Sequence, residues 1–306
     1  MSQALFDYVA TRCPCCDNTR VTKLGMRGGR AHRFRSGECV EVVRCTNCSH
    51  IYPRPMPVLR DTNQGYNRPD IYFEHHNTSQ KIEGYRSLLE NLVQRLGNRQ
   101  CRVLDIGSGC GEMLTAARQL GLNASGVETS SVFAEFAREH YDVDVNNCSL
   151  EDADYPAESF DVAIMAAVIE HLYEPRSTVR EAWRVLKHGG LLWLDAPNEA
   201  SLASRAANVY LHMRGGDWTS YLSPTFPPYH VQGFTPKSLR YLLESVGFDI
   251  VDWRIFPAKT VWPCRKGPLV HFEYYAEMLV HTVERVARTG SYMEALVTKT
   301  TARRME

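Results

Sequence analysis

Two groups of residues in this chain have types and spacings suited to chemistry. The first lies in VLDIGSGCGEML, residues 103–114. Val103, Leu104 and Ile106 read as the end of a buried strand, and Glu112-Met113-Leu114 as the start of a helix. A strand that turns into a helix through Gly107, Gly109 and Gly111 brings backbone N–H groups and a positive dipole end to a ligand. The spacing is G-x-G-x-G rather than the dinucleotide pattern G-x-G-x-x-G, and no Gly-Lys-Ser/Thr follows to make a P-loop. Asp105 stands just before the glycines. A carboxylate there repels a pyrophosphate and suits a cationic ammonium group. Glu128, at the end of the next strand in GVE, can accept both hydroxyls of a ribose. A nucleoside carrying an amino-acid ammonium and no phosphate describes S-adenosylmethionine.

The second group is cysteine. Six of the ten cysteines fall before residue 50, an uneven distribution that argues against a disulfide scaffold. CPCC at 13–16 and CTNC at 45–48 each contain a C-x-x-C, and two such pairs supply four thiolates to a tetrahedral zinc. The expected ligands are Cys13, Cys16, Cys45 and Cys48, with Cys15 and Cys39 as substitutes. The segment between them, with Gly25, Gly28-Gly29 and the alternating CVEVVRC, reads as β-hairpins, which makes a zinc ribbon. Free thiols or a redox pair are the alternative. A redox pair belongs at the start of a helix after a strand, and neither pair here sits so. Residues 11–60 carry ten Lys and Arg against three Asp and Glu in a chain of formal charge zero. That excess suits either a phosphate-bearing partner or a solvated surface on a small core. Few aromatics accompany it, which weakens single-stranded nucleic-acid binding.

The elements that must position these groups follow from periodicity. SLLENLVQRLGN has apolar residues at helical spacing and a C-terminal Gly97. From Cys101 the strands RVLDI, NASGVE, FDVAIMA and LLWLDA alternate with the helices EMLTAARQL, SVFAEFAREHY and STVREAWRVLKH, the last closed by Gly189-Gly190. This alternation implies a parallel sheet covered on both faces. FTPKSLRYLLESVGF predicts a further helix, with Thr235 as N-cap, Pro236 at N1 and Gly247 at its end, and strands near DIVDWRI and EALVTKT complete the domain. The expected organisation is a ribbon module over 1–60, a helical lid or linker over 61–100 and a catalytic domain over 101–306, with an acceptor-side insertion at about 199–232.

With these residues in hand, the glycine turn resembles motif I of the class I S-adenosylmethionine-dependent methyltransferases. Later segments agree in order: SLEDADYPAESFDVAIM, VIEHLYEP, REAWRVLKHGGLLWLDAPN and HVQGFTPKSLRYLLESVGF. The last is similar to the branch that includes ubiquinone-biosynthesis O-methyltransferases and many glycan and natural-product methyltransferases. The front module resembles the zinc ribbons fused to some members of that branch. The resemblance implies a Rossmann-like α/β fold with a mostly parallel seven-stranded sheet. It implies that Asp105, Gly107, Ser108 and Gly109 lie along the cofactor, that Gly111 allows close packing and that Glu128 holds the ribose. It also implies that Ser149, Leu150 and Glu151 lie near the adenine, and Ala166 near the sulfonium. Some ubiquinone-type relatives carry E-x-x-E-H; here Ala167 replaces the first acid, so no catalytic magnesium is expected.

Methyl transfer is an in-line displacement on an activated methyl, so the protein mainly aligns donor and acceptor. An oxygen acceptor also loses a proton, and His230 and His171 are the candidate bases. His230 is preferred, with Tyr229 as support, because FPPYHVQGF reads as an ordered loop; His171 and Glu170 also suit a bracing role. The insertion SLASRAANVYLHMRGGDWTSYLSPTFPPY reads as a lid or acceptor wall, with Arg214, Asp217, Trp218 and Tyr221 as contacts or as ordinary loop packing. Residues 270–288 read as an amphipathic helix against the sheet, or as a homodimer face.

The favoured reading is O-methylation of a small molecule, sugar or glycan and natural-product precursor. RNA methylation with the ribbon as grip is the second, weakened because AAVIEH replaces the N/D-P-P-Y/F-like motif of base-N methylating relatives. A non-catalytic S-adenosylmethionine-binding partner subunit is the third. The longest apolar run, around Val162 to Ile169, is too short to span a bilayer, and no secretory signal opens the chain, so a cytoplasmic protein is expected.

Overall fold

A computed structural model describes residues 5–31, 35–61, 63, 78–257, 278–280, 282–287 and 289–300. The N-terminal segment forms β1 (Phe6–Val9), β2 (Val21–Arg27), β3 (Val40–Cys45), β4 (Ile51–Pro53) and β5 (Met56–Leu59). β2, β3 and β4 make one antiparallel sheet, and β1 pairs antiparallel with β5. The pattern of the next part is helix α1 (Thr78–Leu96), β6 (Arg102–Ile106), α2 (Glu112–Gln119), β7 (Asn123–Val127), α3 (Ser131–Tyr141) and β8 (Val145–Asn146). Then come β9 (Phe160–Met165), α4 (Pro175–Val185), β10 (Leu186–Pro197), α5 (Leu202–Met213), α6 (Pro236–Val246), β11 (Phe248–Phe256) and β12 (Tyr292–Lys299).

The large sheet has seven strands in the order β11-β12-β10-β9-β6-β7-β8, the seven-stranded, mostly parallel sheet that the sequence resemblance implies. β12 runs antiparallel to both neighbours, and the remaining pairs are parallel. Helices on both faces explain why β6 and β9 are near-continuous apolar runs: Val103, Leu104, Val162, Ala163, Ile164 and Met165 are all buried. From β6 the chain moves outward to β7 and β8, then crosses to β9 and β10 on the other side. Such a reversal opens a crevice at the carboxyl ends of the strands, where α/β proteins bind ligands. α1 covers one face near that crevice, with Leu89 and Leu92 packed against Val103, Met113 and Ile164.

Two features differ from the sequence expectation. α4 stops at Val185, not at Gly189-Gly190, because β10 already pairs at Leu186 with Phe160 of β9. A register shift between Leu186 and Leu191, with Gly189 at φ 77°, absorbs the extra residues. Strand pairing has overridden the helical spacing of VLKH. The insertion is also more than a loop: it contains α5, capped by Ser201, whose hydroxyl accepts the N–H of Ser204. Of the amphipathic stretch 270–288, residues 278–280 and 282–287 are helical and the others lie outside the described residues. Its described part turns Glu284 inward, where the carboxylate accepts the Ala203 N–H at the start of α5 (3.1 Å).

The ribbon is welded to the insertion. Met26 N–H donates to Asp217 O (2.7 Å) and Thr219 N–H to Met26 O (3.1 Å). Ile51 and Gly233 exchange two backbone bonds of 2.9 and 2.7 Å. A single apolar cluster runs from Val43 and Tyr52 through Val231 and Phe234 to Ile169 and Leu239.

Candidate active site and cysteine centre

The glycine turn leaves β6 with Gly107 and Ser108 N–H both donating to Val127 O (2.9 and 3.0 Å). Gly107 has φ 71°, and a Cβ there would sit 2.6 Å from Val168 Cγ2, so only glycine fits. Gly109, at φ 52°, faces open space, with nothing within 4 Å of the position a Cβ would take. Gly111 lies against Ala137 and lets α2 approach α3 closely.

Four carboxylates gather around this turn. Asp105 is 3 % exposed, and its Oδ2 is buried without a hydrogen-bond partner among the described residues. Burial, then the neighbouring Glu112 carboxylate, pushes the Asp105 carboxyl up to about 8, against the pull of Lys81. Lys81, from α1, lies 3.3 Å from Glu112. Glu128 accepts the N–H of Gly109 (2.9 Å) and of Ser130 (2.8 Å); burial raises it and these donors oppose the rise. Asp195, near the end of β10, accepts the Ala167 N–H at 2.7 Å and is also raised by burial. An acid-rich crevice with an unpartnered buried carboxylate oxygen suits a cationic ligand and rejects a polyphosphate.

Of the three residues expected near the adenine, the structure brings Ser149 close to Asp152, with the hydroxyl donating at 2.6 Å. Leu150 is buried in the main core. The Glu151 carboxylate accepts the Thr178 hydroxyl of α4 (2.7 Å) and so is occupied within the protein. Ala166 directly follows β9, half-buried beside the α1–α2 cluster. Asp195 and Lys81 were not singled out in the sequence. Asp195 was detectable as an acid at the end of the apolar run LLWLDAP; Lys81 carried no local signal, because only folding brings α1 to the crevice.

His171 and His230, 59 positions apart, meet with ring centroids 4.8 Å apart in an edge-on arrangement. His171 Nδ1 lies 3.2 Å from the carbonyl oxygen of Tyr229. Burial lowers His171 to about 4, and burial together with His171 lowers His230 to about 3, so both imidazoles are neutral at pH 7. Glu170 lies beside them, 4.0 Å from His171 Nε2, raised by burial to about 8. The Tyr229 ring packs edge-on against Phe6, 5.9 Å away, in the small core under β1 and β5.

The insertion residues turn largely toward the ribbon. Asp217 pairs with Lys23 (2.6 Å), Trp218 bridges to Met26, and Tyr221 is buried with Val42, Ile51 and Leu222. Arg214 lies over Tyr210 on its own helix end.

The four cysteines of the two C-x-x-C pairs converge. Cys13 and Cys48 sulfurs are 3.5 Å apart, as are those of Cys16 and Cys45, and all four lie within 4.8 Å of one another. Four sulfurs at the ordinary Zn–S distance of about 2.3 Å are about 3.8 Å apart in a tetrahedron, so this set fits a closed metal site with little adjustment. Asn18 Nδ2 points at the Cys45 sulfur (3.5 Å), a donor that favours a thiolate. Cys15 is buried outside this group and Cys39 is exposed.

A doubly covered, mostly parallel sheet with an acid–glycine turn after β6 and a buried carboxylate, Glu128, just after β7 defines an α/β protein with a ligand crevice at the carboxyl ends of its strands. The chain belongs to the family described as a methyltransferase domain, whose model matches residues 75–252. It is 29% identical over 171 residues to a probable S-adenosylmethionine-dependent methyltransferase of Mycolicibacterium smegmatis, across 53% of this chain and 58% of that protein. It is 28% identical over 170 residues to the ubiquinone biosynthesis O-methyltransferase of Xanthomonas axonopodis pv. citri, across 54% and 69%. The matched region thus spans little more than half of the mycobacterial relative. The fold is shared with a chain of the complex between the Haloferax volcanii Trm112 methyltransferase activator and its methyltransferase, at TM-score 0.53 and 15% identity, covering 78% and 99% of the two chains. It is also shared with Burkholderia thailandensis 1,6-didemethyltoxoflavin-N1-methyltransferase, at TM-score 0.50 and 14% identity, covering 84% and 99%. Among the described residues no helix is long and apolar enough to cross a membrane.

Proposed function

We propose that this methyltransferase acts on a hydroxyl of a small molecule, sugar or glycan precursor, with His230 and His171 as the proton-accepting pair. The observation that carries the reading is the meeting of two neutral imidazoles near Asp195 and Glu170 at the carboxyl edge of the sheet. The relatives named as ubiquinone biosynthesis O-methyltransferases support oxygen as the acceptor atom.

When bound, S-adenosylmethionine supplies a methyl group already activated on a sulfonium. The chain's own part is to hold the cofactor and free the acceptor of its proton. Asp105 would take the ammonium through its unpartnered Oδ2, Glu128 would exchange its backbone donors for the ribose hydroxyls, and the open face at Gly109 leaves room for the sugar. As the acceptor oxygen bonds to carbon, the carbon–sulfur bond breaks and the oxygen's proton becomes strongly acidic. A neutral imidazole of low basicity is then a sufficient acceptor, and His230 would take that proton.

The same reading places a structural zinc on Cys13, Cys16, Cys45 and Cys48. Its role would be to hold the ribbon against the insertion, since a closed four-thiolate site leaves no position for substrate. RNA gripping by the ribbon draws little support, because many of its cations have partners within the chain: Lys23 with Asp217, Arg27 with Leu222 O, Arg60 with Asp7.

The test is transfer of a labelled methyl group from S-adenosylmethionine by the purified full chain into fractionated cell extract. Label in small molecules or glycans is expected. Label released by ribonuclease overturns the reading in favour of RNA, and cofactor binding without any transfer overturns it in favour of a partner subunit.

A further inference from the structure

Between the ribbon and the catalytic sheet lies a cavity of about 570 Å³ that the methyl-transfer centre does not use. Three cations reach it from three elements: Arg44 from β3, Arg205 from α5 and Lys237 from the first turn of α6. Among the described residues none of these side chains has an ion-pair or hydrogen-bond partner, and no acidic side chain lines the cavity. Thr235, the N-cap of α6, forms part of the wall, so the positive end of that helix points the same way. Thr289 also lines it, and its buried hydroxyl has no partner among the described residues.

Arg44 is half-buried and Arg205 and Lys237 are exposed at the rim, so three like charges converge on one concavity and their summed field favours an anion there. The contrast with the rest of the ribbon is informative. Lys23, Arg27, Arg54 and Arg60 are tied to acids or carbonyl oxygens of this chain, whereas Arg44 is left facing the cavity. A guanidinium fork suits the paired oxygens of a phosphate, and a helix N-terminus suits its charge. The volume lies within the usual range of small-molecule sites. Asn198, another wall residue, directly follows β10, the strand that carries Asp195. The cavity therefore sits on the same edge of the sheet as the reacting centre.

We infer that this cavity holds the phosphate or diphosphate group of a small-molecule acceptor, so that the methylated compound is a phosphorylated or nucleotide-activated one. The inference rests on the small-molecule reading above. Arg44 would make the ribbon part of substrate recognition, which gives a reason for its fixed seat on the insertion.

The experiment is calorimetric titration of the full chain with UDP and with inorganic pyrophosphate, in the presence of S-adenosylhomocysteine. It is repeated on Arg44→Ala, Arg205→Ala, Lys237→Ala and the triple variant. Both probes should bind, each substitution should weaken UDP by about tenfold, and affinity for S-adenosylhomocysteine should stay unchanged, which also reports that the variants are folded. Arg44→Lys should restore part of the loss. No binding of either probe at about millimolar concentration, or binding indifferent to the triple substitution, overturns the site. A random oligoribonucleotide that displaces UDP with steep salt dependence overturns it in favour of RNA. Cation-dependent UDP binding with no label in any small molecule keeps the phosphate site but overturns the acceptor assignment, and the O-methylation reading falls with it.

Discussion

The cofactor side and the acceptor side of this crevice are built in opposite ways. On the proposed cofactor side Asp105, Gly107, Gly109 and Glu128 come from one strand–helix–strand unit, and their contacts are mostly backbone bonds within it. On the proposed acceptor side His171, Asp195, His230 and Arg44 come from four distant segments, beside a ribbon that pairs edge to edge with the insertion. Local chemistry carries its own scaffold. Chemistry assembled from remote segments needs a clamp, and here the clamp is the cysteine-bearing ribbon.

Removing the clamp is the sharpest way to break that contrast. Elemental analysis should find about one zinc per chain, and because metal binding and folding are one free energy, about 10–16 kcal/mol for small zinc modules, a chelator or Cys45→Ser should unfold the ribbon. Amide exchange at Met26, Thr219 and Gly233 should then become fast while residues 103–128 stay protected. Equal loss of protection in both regions would show that the two sides fold as one unit.

Next in size is His230→Ala. Loss of a positioned proton acceptor should lower kcat by about 100-fold or more with little change in the cofactor Kd. His171→Ala should cost less, since its Nδ1 already faces the Tyr229 carbonyl and much of its role is orientation. An effect on Kd larger than on kcat would assign both to packing.

Glu128→Ala tests the other side. Losing a carboxylate that binds two ribose hydroxyls should weaken S-adenosylmethionine by about 100-fold, about 3 kcal/mol. Calorimetry reads this directly, and an unchanged affinity would remove Glu128 from the site.

The smallest expected signal is a proton. Asp105 is raised to about 8, so it is mostly protonated at pH 7 when the crevice holds no cation. Because its folded value lies above its unfolded one, its stability contribution is full below about pH 4 and is lost as pH rises toward 8. An incoming ammonium favours the charged carboxylate, so binding of S-adenosylhomocysteine should release up to about one proton at pH 7. Affinity should rise by up to about tenfold from pH 6 to pH 7. Titration in buffers of different ionisation enthalpy measures the release, and Asp105→Asn should abolish it.

How far the sequence could be read follows the same division. The strands of the large sheet were readable because parallel strands buried on both faces are short apolar runs, and RVLDI and FDVAIM are such runs. α6 was readable to the residue from Thr235, Pro236 and Gly247. β8 escaped because two residues, Val145 and Asn146, give no periodicity. The end of α4 was misjudged because Leu186 to Gly190 keep a helical pattern that strand pairing overrides. That Asp217 and Trp218 of the insertion meet Lys23 and Met26 was not readable, because nothing in either residue announces its partner.

By itself the sequence determined the cofactor turn, the four converging cysteines and the order of elements, since each depends on neighbours within a few residues or on a fixed spacing. Only the tertiary structure decided that His171 meets His230, that Lys81 and Asp195 enter the crevice, and that Arg44, Arg205 and Lys237 share one cavity. Those contacts depend on loop closure across most of the chain, and no local pattern encodes which surfaces the folded core will bring face to face.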